Sequence, residues 1–298
     1  MTKEGLLMAN SIALFKQYID LLDEVYRLGA KTSVLDMSGT LVQAAANANQ
    51  VIIPKYDLDG LADYKRNGGY VNGDVTVTNE VVTFNYDRGI KFTVDAMDNA
   101  ETAGVAFGKL ASIFIRNKVI PEMDAFRFAA YAGTEGILSK TANLSDGSQV
   151  IAALTDATNE MDEEEVSESG RILFITPTLH TMITALDTYK SREIMSRFGS
   201  VVDVPQKRFY TAVDLLDGES DNELAGGYKK ADGAKNINFM IIERSAAIQF
   251  TKHTVTKVFS PEENQFADGW AFVYRAYGLC DVYENRVHGI YLSASETE

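Results

Sequence analysis

Apolar residues at helical spacing run further through 98–133 than anywhere else in the chain. Phe107, Leu110 and Phe114, then Ile120, Met123 and Phe126, mark one stripe, and Ile113, Ile115 and Val119 widen it beyond a single face. The pattern predicts one helix roughly 50 Å long at 1.5 Å per residue, covered from several sides. Asn99 is its expected N-cap, Asp98 and Glu101 suit its positive end, and Gly133 suits its stop. Pro121 lies inside the run, where it removes one backbone donor and crowds the carbonyl of residue 117, so a kinked helix is expected. Glu122 and Asp124 just beyond it have the character of helix-start acids.

Upstream, from Tyr56 to Val94, the period changes to two. Val75 and Val77 alternate with threonines, Val82, Phe84 and Tyr86 with Thr83 and Asn85, and Ile90, Phe92 and Val94 with Lys91 and Thr93. Asn67-Gly68-Gly69 and Asn72-Gly73 tolerate the positive φ of hairpin turns. The prediction is an extended β-ribbon with little apolar surface near its tip at 64–73. A ribbon of this kind is marginal alone in water, so another subunit is expected to hold it.

Residues 11–28 form an amphipathic helix with Ile12, Phe15, Ile19, Leu22 and Tyr26 on one stripe, packed on its own body or on a neighbour. Residues 38–50 are small and polar, as in an arm or loop, and 51–54 read as a short strand. Beyond the long helix a second helix is expected over 148–163, a buried strand over 171–176 and a helix over 177–186. Residues 191–209 are mixed, with Val201, Val202 and Val204 strand-like before Pro205. The turn-rich, charged stretch 214–235 reads as a surface loop. Strands follow over 238–243, 246–252, 270–277 and 281–292, the last on the alternation of Val287, His288, Gly289 and Ile290. The sum is an α+β chain in which a ribbon and a long helix accompany an α/β lobe.

With 298 residues, 46% of them hydrophobic, the chain can bury a substantial core without requiring two independent domains. No signal peptide pattern and no apolar run of about 18 residues is present, so a soluble, intracellular product is expected. The net charge of −14 argues against a protein that grips nucleic acid, because phosphate neutralisation needs a basic stripe, and no Lys/Arg run exceeds a pair such as Lys229-Lys230. If the protein encloses nucleic acid, it does so as a wall.

The chemistry-bearing residues are sparse. Cys280 is the only cysteine, which excludes an internal disulfide and a cysteine zinc site, and its apolar setting reads as packing. His180, His253 and His288 are isolated in sequence. Seven acids between Asp156 and Glu168 read as a solvated helix end, with a cation site as the sharper alternative. Asp217, Glu219 and Asp221 alternate as in a calcium loop, but Asn222 and Tyr228 stand where that loop needs Gly and Glu. Phosphate-binding, dinucleotide, nucleophile-elbow and zinc-protease motifs are absent, so no catalytic, cofactor or metal residue is assigned and no enzyme is expected.

The order of pieces carries a resemblance. YRLGAKTSVLD (26–36), GLADYKRNGGYVNG (60–73), DRGIKFTVDAMDNAET (87–102), NKVIPEMDAFRFAAYA (117–132) and VFSPEENQFADGWAFVYRAYGLCDVYENRVHGIYL (258–292) together resemble the major capsid proteins of tailed bacteriophages, the Hong Kong 97-type shell fold. The resemblance implies an N-terminal helix and arm over 1–50 and an extended loop over 51–98. It further implies a peripheral domain of 99–169 with 276–298, whose spine is the helix 99–133, and an axial domain over 170–275. It implies self-assembly as hexamers and pentamers into an icosahedral virion shell around double-stranded DNA, contacted without sequence specificity, with no membrane. Assembly would take place in the host bacterial cytoplasm. Portal and decoration proteins are possible partners under this resemblance. With about 50 residues before the ribbon, a separate scaffolding protein or none is expected. Candidate interface charges are Asp63, Lys65, Arg66, Asp87, Arg88, Arg116 and Lys118, which would steer register between subunits. A nanocompartment shell of encapsulin type and an unrecognised α/β enzyme are the alternatives.

Overall fold

The computed structural model describes residues 29–37, 43–44, 50–64, 66, 68–96, 113–220, 223–265 and 267–296. The expected helix over 11–28, the first part of the long helix with Asn99, Phe107 and Leu110, and Lys65 lie outside them.

Period-two burial builds the central sheet. Strands β5 (Leu138–Thr141), β6 (Arg171–Ile175), β7 (Ser200–Asp203), β10 (Ile237–Glu243) and β13 (Ile290–Ala294) join in the order β5-β13-β10-β6-β7. β10 runs antiparallel to both neighbours, while the outer strands pair in parallel. In β6, Ile172 and Phe174 face one cluster and Leu173 and Ile175 the other, and β10 divides Met240 and Ile242 from Phe239 and Ile241 in the same way. Both faces are therefore covered, which is why Ile172–Ile175 are apolar on both sides.

Three helices cover one face: α2 (Gly147–Glu163), α3 (Pro177–Leu186) and α4 (Tyr189–Ser196). Asp146 caps α2 by accepting from the backbone N–H of Ser148 and Gln149 at 2.8 and 3.0 Å. α4 overlaps the stretch 191–209, whose sequence pattern is mixed. Its signal was a capping box, in which Thr188 and Ser191 exchange side-chain and backbone hydrogen bonds.

The other face packs on α1 (Ile120–Ala132), which lies within the segment expected as a long helix, through Phe128 and Tyr131. The chain stays helical through Pro121. The turn before it, Ile115–Val119, is widened to i→i−5 bonding, with the Ile120 N–H donating to Ile115 O. This wide turn sits where the proline ring would otherwise crowd the preceding carbonyls. Gly133 ends the helix, donating its N–H to Ala129 O at 2.9 Å.

A second sheet, β11 (Ala247–Phe259), β12 (Gly269–Val282) and β4 (Tyr86–Asp95), is antiparallel in the order β11-β12-β4. Its inner face, with Phe272, Tyr274 and Ala276, packs on Ile115, Val119, Ile120 and Met123 of the long helix. A third sheet holds β1 (Gln43–Ala44), β2 (Gln50–Leu58) and β3 (Val75–Thr83). The ribbon is thus β2 with β3, while β4, read with it from alternation, belongs to the second sheet.

Two other expectations are corrected. The strand expected over 281–292 is broken: β12 ends at Val282, a 3-10 turn covers Glu284–Gly289, and β13 begins at Ile290. The turn carries the chain from one sheet to the other, and Gly289 leaves room there for Ala246, whose Cβ lies 2.7 Å from where a Cβ would stand. The expected loop over 214–235 contains a small hairpin of β8 (Val213–Leu215) and β9 (Tyr228–Lys230), strands too short to leave a periodic signal. β5 and β13, far apart in sequence, share the central sheet with β6, β7 and β10.

Candidate assembly surface

Directly opposed residues of an antiparallel pair share a face, so the ribbon register sorts its side chains. Val51 with Val82, Ile53 with Glu80, Lys55 with Thr78 and Asp57 with Thr76 lie on one face. Ile52 with Val81, Tyr56 with Val77 and Leu58 with Val75 lie on the other. The first face is held at its root, where Val51 and Val82 are buried with Ile248 and Leu279. The second is apolar and bare: Tyr56, Leu58, Val75, Val77 and Val81 are each at least 52% exposed. Covering one such half-exposed side chain is worth on the order of 1 kcal/mol, so the five together offer a gross contribution of roughly 5 kcal/mol to a contact.

The tip was expected to carry little apolar surface, and the structure corrects this. Leu61, Tyr64, Tyr70 and Val71 all stand exposed there, with the two tyrosine rings 5.0 Å apart. The tip is closed at its base by Asp74, whose N–H donates to Asp59 Oδ2 at 2.8 Å, and by Asp59 N–H to Asp74 O at 3.3 Å. Apolar side chains on a bare ribbon mark an interaction surface rather than a core.

The candidate interface charges divide. Asp63 and Arg66 are exposed on the tip, and Arg116 and Lys118 are exposed on the wide turn between buried Ile115 and Val119. Asp87 and Arg88 are engaged within the chain. Asp87 accepts two bonds from Arg275 across β4 and β12, at 2.8 and 2.6 Å, and that guanidinium holds its carboxyl below the usual range. Arg88 donates to Glu122 of α1 at 2.8 Å and to Gly227 O at 3.2 Å. Their partners come from other elements, which a local reading of charge cannot see.

A buried polar network fixes where the N-terminal segment meets the body. Asp124 is fully buried and accepts from the N–H groups of Lys31 and Thr32, from Thr32 Oγ1 and from Arg208, all at 2.8 to 3.1 Å. Arg127 donates to Thr32 Oγ1 at 2.9 Å, and Gln249 Nε2 to Thr32 O at 2.8 Å. Asp124 had the sequence character of a helix-start acid; its role is to hold the 3-10 turn Thr32–Leu35 against the helix.

The acidic run is exposed, as a solvated helix end is, and part of it is paired. Asp162 pairs with Arg171 and Arg197, Glu168 with Arg197, Asp156 with Lys140 and Glu164 with His288. Asp217 accepts from Glu219 N–H, Ser220 N–H and Ser220 Oγ, bonds that lower its carboxyl to about 2 and close a turn. His180 bonds Asp203 at 2.7 Å, and His253 is exposed on β11. Burial pushes the Cys280 thiol up to about 12. Among the described residues, no group of three or more His, Cys, Asp and Glu side chains is placed to hold a metal ion.

No protein-family model and no curated protein sequence matches the chain. Solved structures do. A Gordonia phage Cozz chain is similar at 12% identity and a TM-score of 0.58, over 90% of this chain and 87% of that one. The capsid structure of the cyanophage P-SCSP1u gives 12% identity and a TM-score of 0.52, over 86% of each chain. The crystal structure of a virus-like particle from Pyrococcus furiosus gives 11% and 0.56, over 93% of this chain and 99% of that one. With solved structures matched over 86% to 93% of this chain, the chain has the Hong Kong 97-type capsid fold.

Proposed function

We propose that the chain is the major capsid protein of a tailed bacteriophage, building an icosahedral shell around double-stranded DNA. The observation that carries this reading is the bare apolar face of the ribbon, on a fold otherwise found in particle shells. A surface of that kind is completed by a copy of the same chain. Contact between the ribbon of one subunit and the body of the next is heterologous, and heterologous contacts form rings when the rotation between neighbours closes. Hexamers and pentamers are such rings. The exposed charges Asp63, Arg66, Arg116 and Lys118 would set register between subunits, with Lys65 beside them in sequence.

In this reading the peripheral lobe is the β11-β12-β4 sheet with the long helix, and the axial lobe is the five-stranded sheet with α2, α3 and α4. That assignment moves 138–163 and 290–294 into the axial lobe, because they belong to its sheet and its helical cover. The net charge of −14 suits a wall that does not adhere to its contents. Portal, decoration and separate scaffolding proteins complete the proposed set of partners.

The test is electron microscopy and sedimentation of the chain expressed alone and with its neighbouring genes. Closed shells or capsomer rings are expected. Nuclease-protected DNA inside particles made during infection separates a phage head from a protein-storing compartment, a distinction raised by the match to a virus-like particle. A monomer under every condition, with neighbouring gene products present, would overturn the proposal.

A further inference from the structure

The ribbon root meets the body through charged groups as well as through Val51 and Val82. Lys55 of β2 forms an ion pair with Glu284 of the 3-10 turn that follows β12. Glu80 of β3 lies on the same inner face, opposite Ile53, and its Oε2 is shut off from solvent with no hydrogen-bond partner. Asp281, next to the end of β12, adds a third carboxylate, its Oδ1 accepting from the Val282 N–H at 2.8 Å. Beyond Tyr283, Arg286 stacks its guanidinium 5.8 Å from the ring centre and donates to Ser245 O. The groups that bear on Glu80 are therefore Lys55 from β2, Asp281 from β12, and Glu284 and Tyr283 from the turn, with Arg286 behind the ring. Glu284 and Glu80 share the Lys55 ammonium where the ribbon leaves the body, and Asp281 adds a third negative charge beside them.

We propose that this cluster is an acid-operated latch: protonation of Glu80 draws the ribbon root onto the body, and ionisation loosens it. The Glu284 N–H donates to the Glu80 carboxylate and Lys55 attracts it, but Oε2 of an ionised Glu80 stays buried without a partner beside the Glu284 charge, at a cost in free energy that the neutral carboxyl does not carry. Burial first, and then the Glu284 charge, raise the Glu80 carboxyl, and burial raises that of Asp281. A carboxyl raised in the docked root and ordinary in the open one favours docking below its ordinary pKa. That contribution is lost as pH rises through the raised value. The latch rests on the capsid reading only for its use, which is to set by pH the angle at which each subunit offers its ribbon to a neighbour.

The test is hydrogen exchange on the full-length chain, taken from the unassembled fraction of a sedimentation run, at about pH 5 and about pH 7.5. Rates are corrected for the intrinsic pH dependence of exchange. Wild-type amides at 51–55 and 80–83 are expected to be several-fold better protected in acid, while those of β10 keep one corrected protection at both values. Glu80→Gln is expected to hold the acid level of protection at both pH values, and Asp281→Asn to reduce the difference in part. A wild-type root with no pH difference, or a Glu80→Gln root that keeps the full difference, overturns the latch. Because the readout is taken before assembly, failure to form shells would count against the capsid reading and leave this result standing.

Discussion

Asp124 shows how one side chain on the long helix comes to govern another segment of the chain. It is fully buried, and its carboxylate gathers two backbone donors, one hydroxyl and one guanidinium from segments 84 to 93 residues away. A charge in such a place is tolerated only because its donors are all in position, and removing it leaves them unpaired. Asp124→Asn is expected to cost about 3 kcal/mol, since the amide turns a donor toward Thr32 and no longer balances Arg208. Urea unfolding should show a lower midpoint with an unchanged slope. An unchanged midpoint would mean that the network contributes nothing net. Cys280 is the opposite case: its apolar neighbours identified it correctly as packing, because burial of a small thiol depends on little else.

At the scale of elements, the packing of α2 on α3 depends on a single missing side chain. Gly147 begins α2, and a Cβ there would stand 2.4 Å from Met182 O and 2.8 Å from Leu186 Cδ1. The obstacle is backbone as well as side chain, so α2 would have to move away from α3. Gly147→Ala should therefore destabilise by roughly 1–3 kcal/mol despite the better helix propensity of alanine. Thermal unfolding checks this, and a stabilised variant would show that the helix ends shift freely. The ribbon obeys a different rule. Its strands pair fully, but only the root has a body beneath it, so the element is complete in hydrogen bonds and incomplete in burial.

The whole molecule is thus a folded body carrying an arm whose apolar face points away from it. Tyr56→Lys combined with Val77→Asp places an opposed pair of opposite charges on that face, remote from the buried root, and so keeps the strand pairing while removing its apolar surface. Shell formation should be lost in electron micrographs, while thermal unfolding of the unassembled chain stays within about 1 °C of wild type, as for surface substitutions that touch no core contact. Shells of normal yield from this variant would remove the ribbon face from the assembly surface.

Much of this was legible without coordinates. Period two marked the ribbon and most long strands, and period 3.6 marked the helical residues 113–132 and α2. These readings succeed because they depend on neighbours two to four residues apart. What escaped depended on distant partners. The assignment of β4 to the second sheet rests on pairing with residues near 270–278, and the break after Val282 on the need to cross between sheets. Whether a charge is free to meet another subunit was equally invisible: Asp87 and Arg88 are engaged by Arg275 and Glu122, whereas Arg116 and Lys118 face outward. The sequence by itself determined which segments are extended, which are helical and which carry apolar side chains, because those properties follow from local backbone geometry and composition. Only the tertiary structure decided which apolar face stays bare and which carboxylates meet, because burial is settled by what the rest of the chain brings alongside.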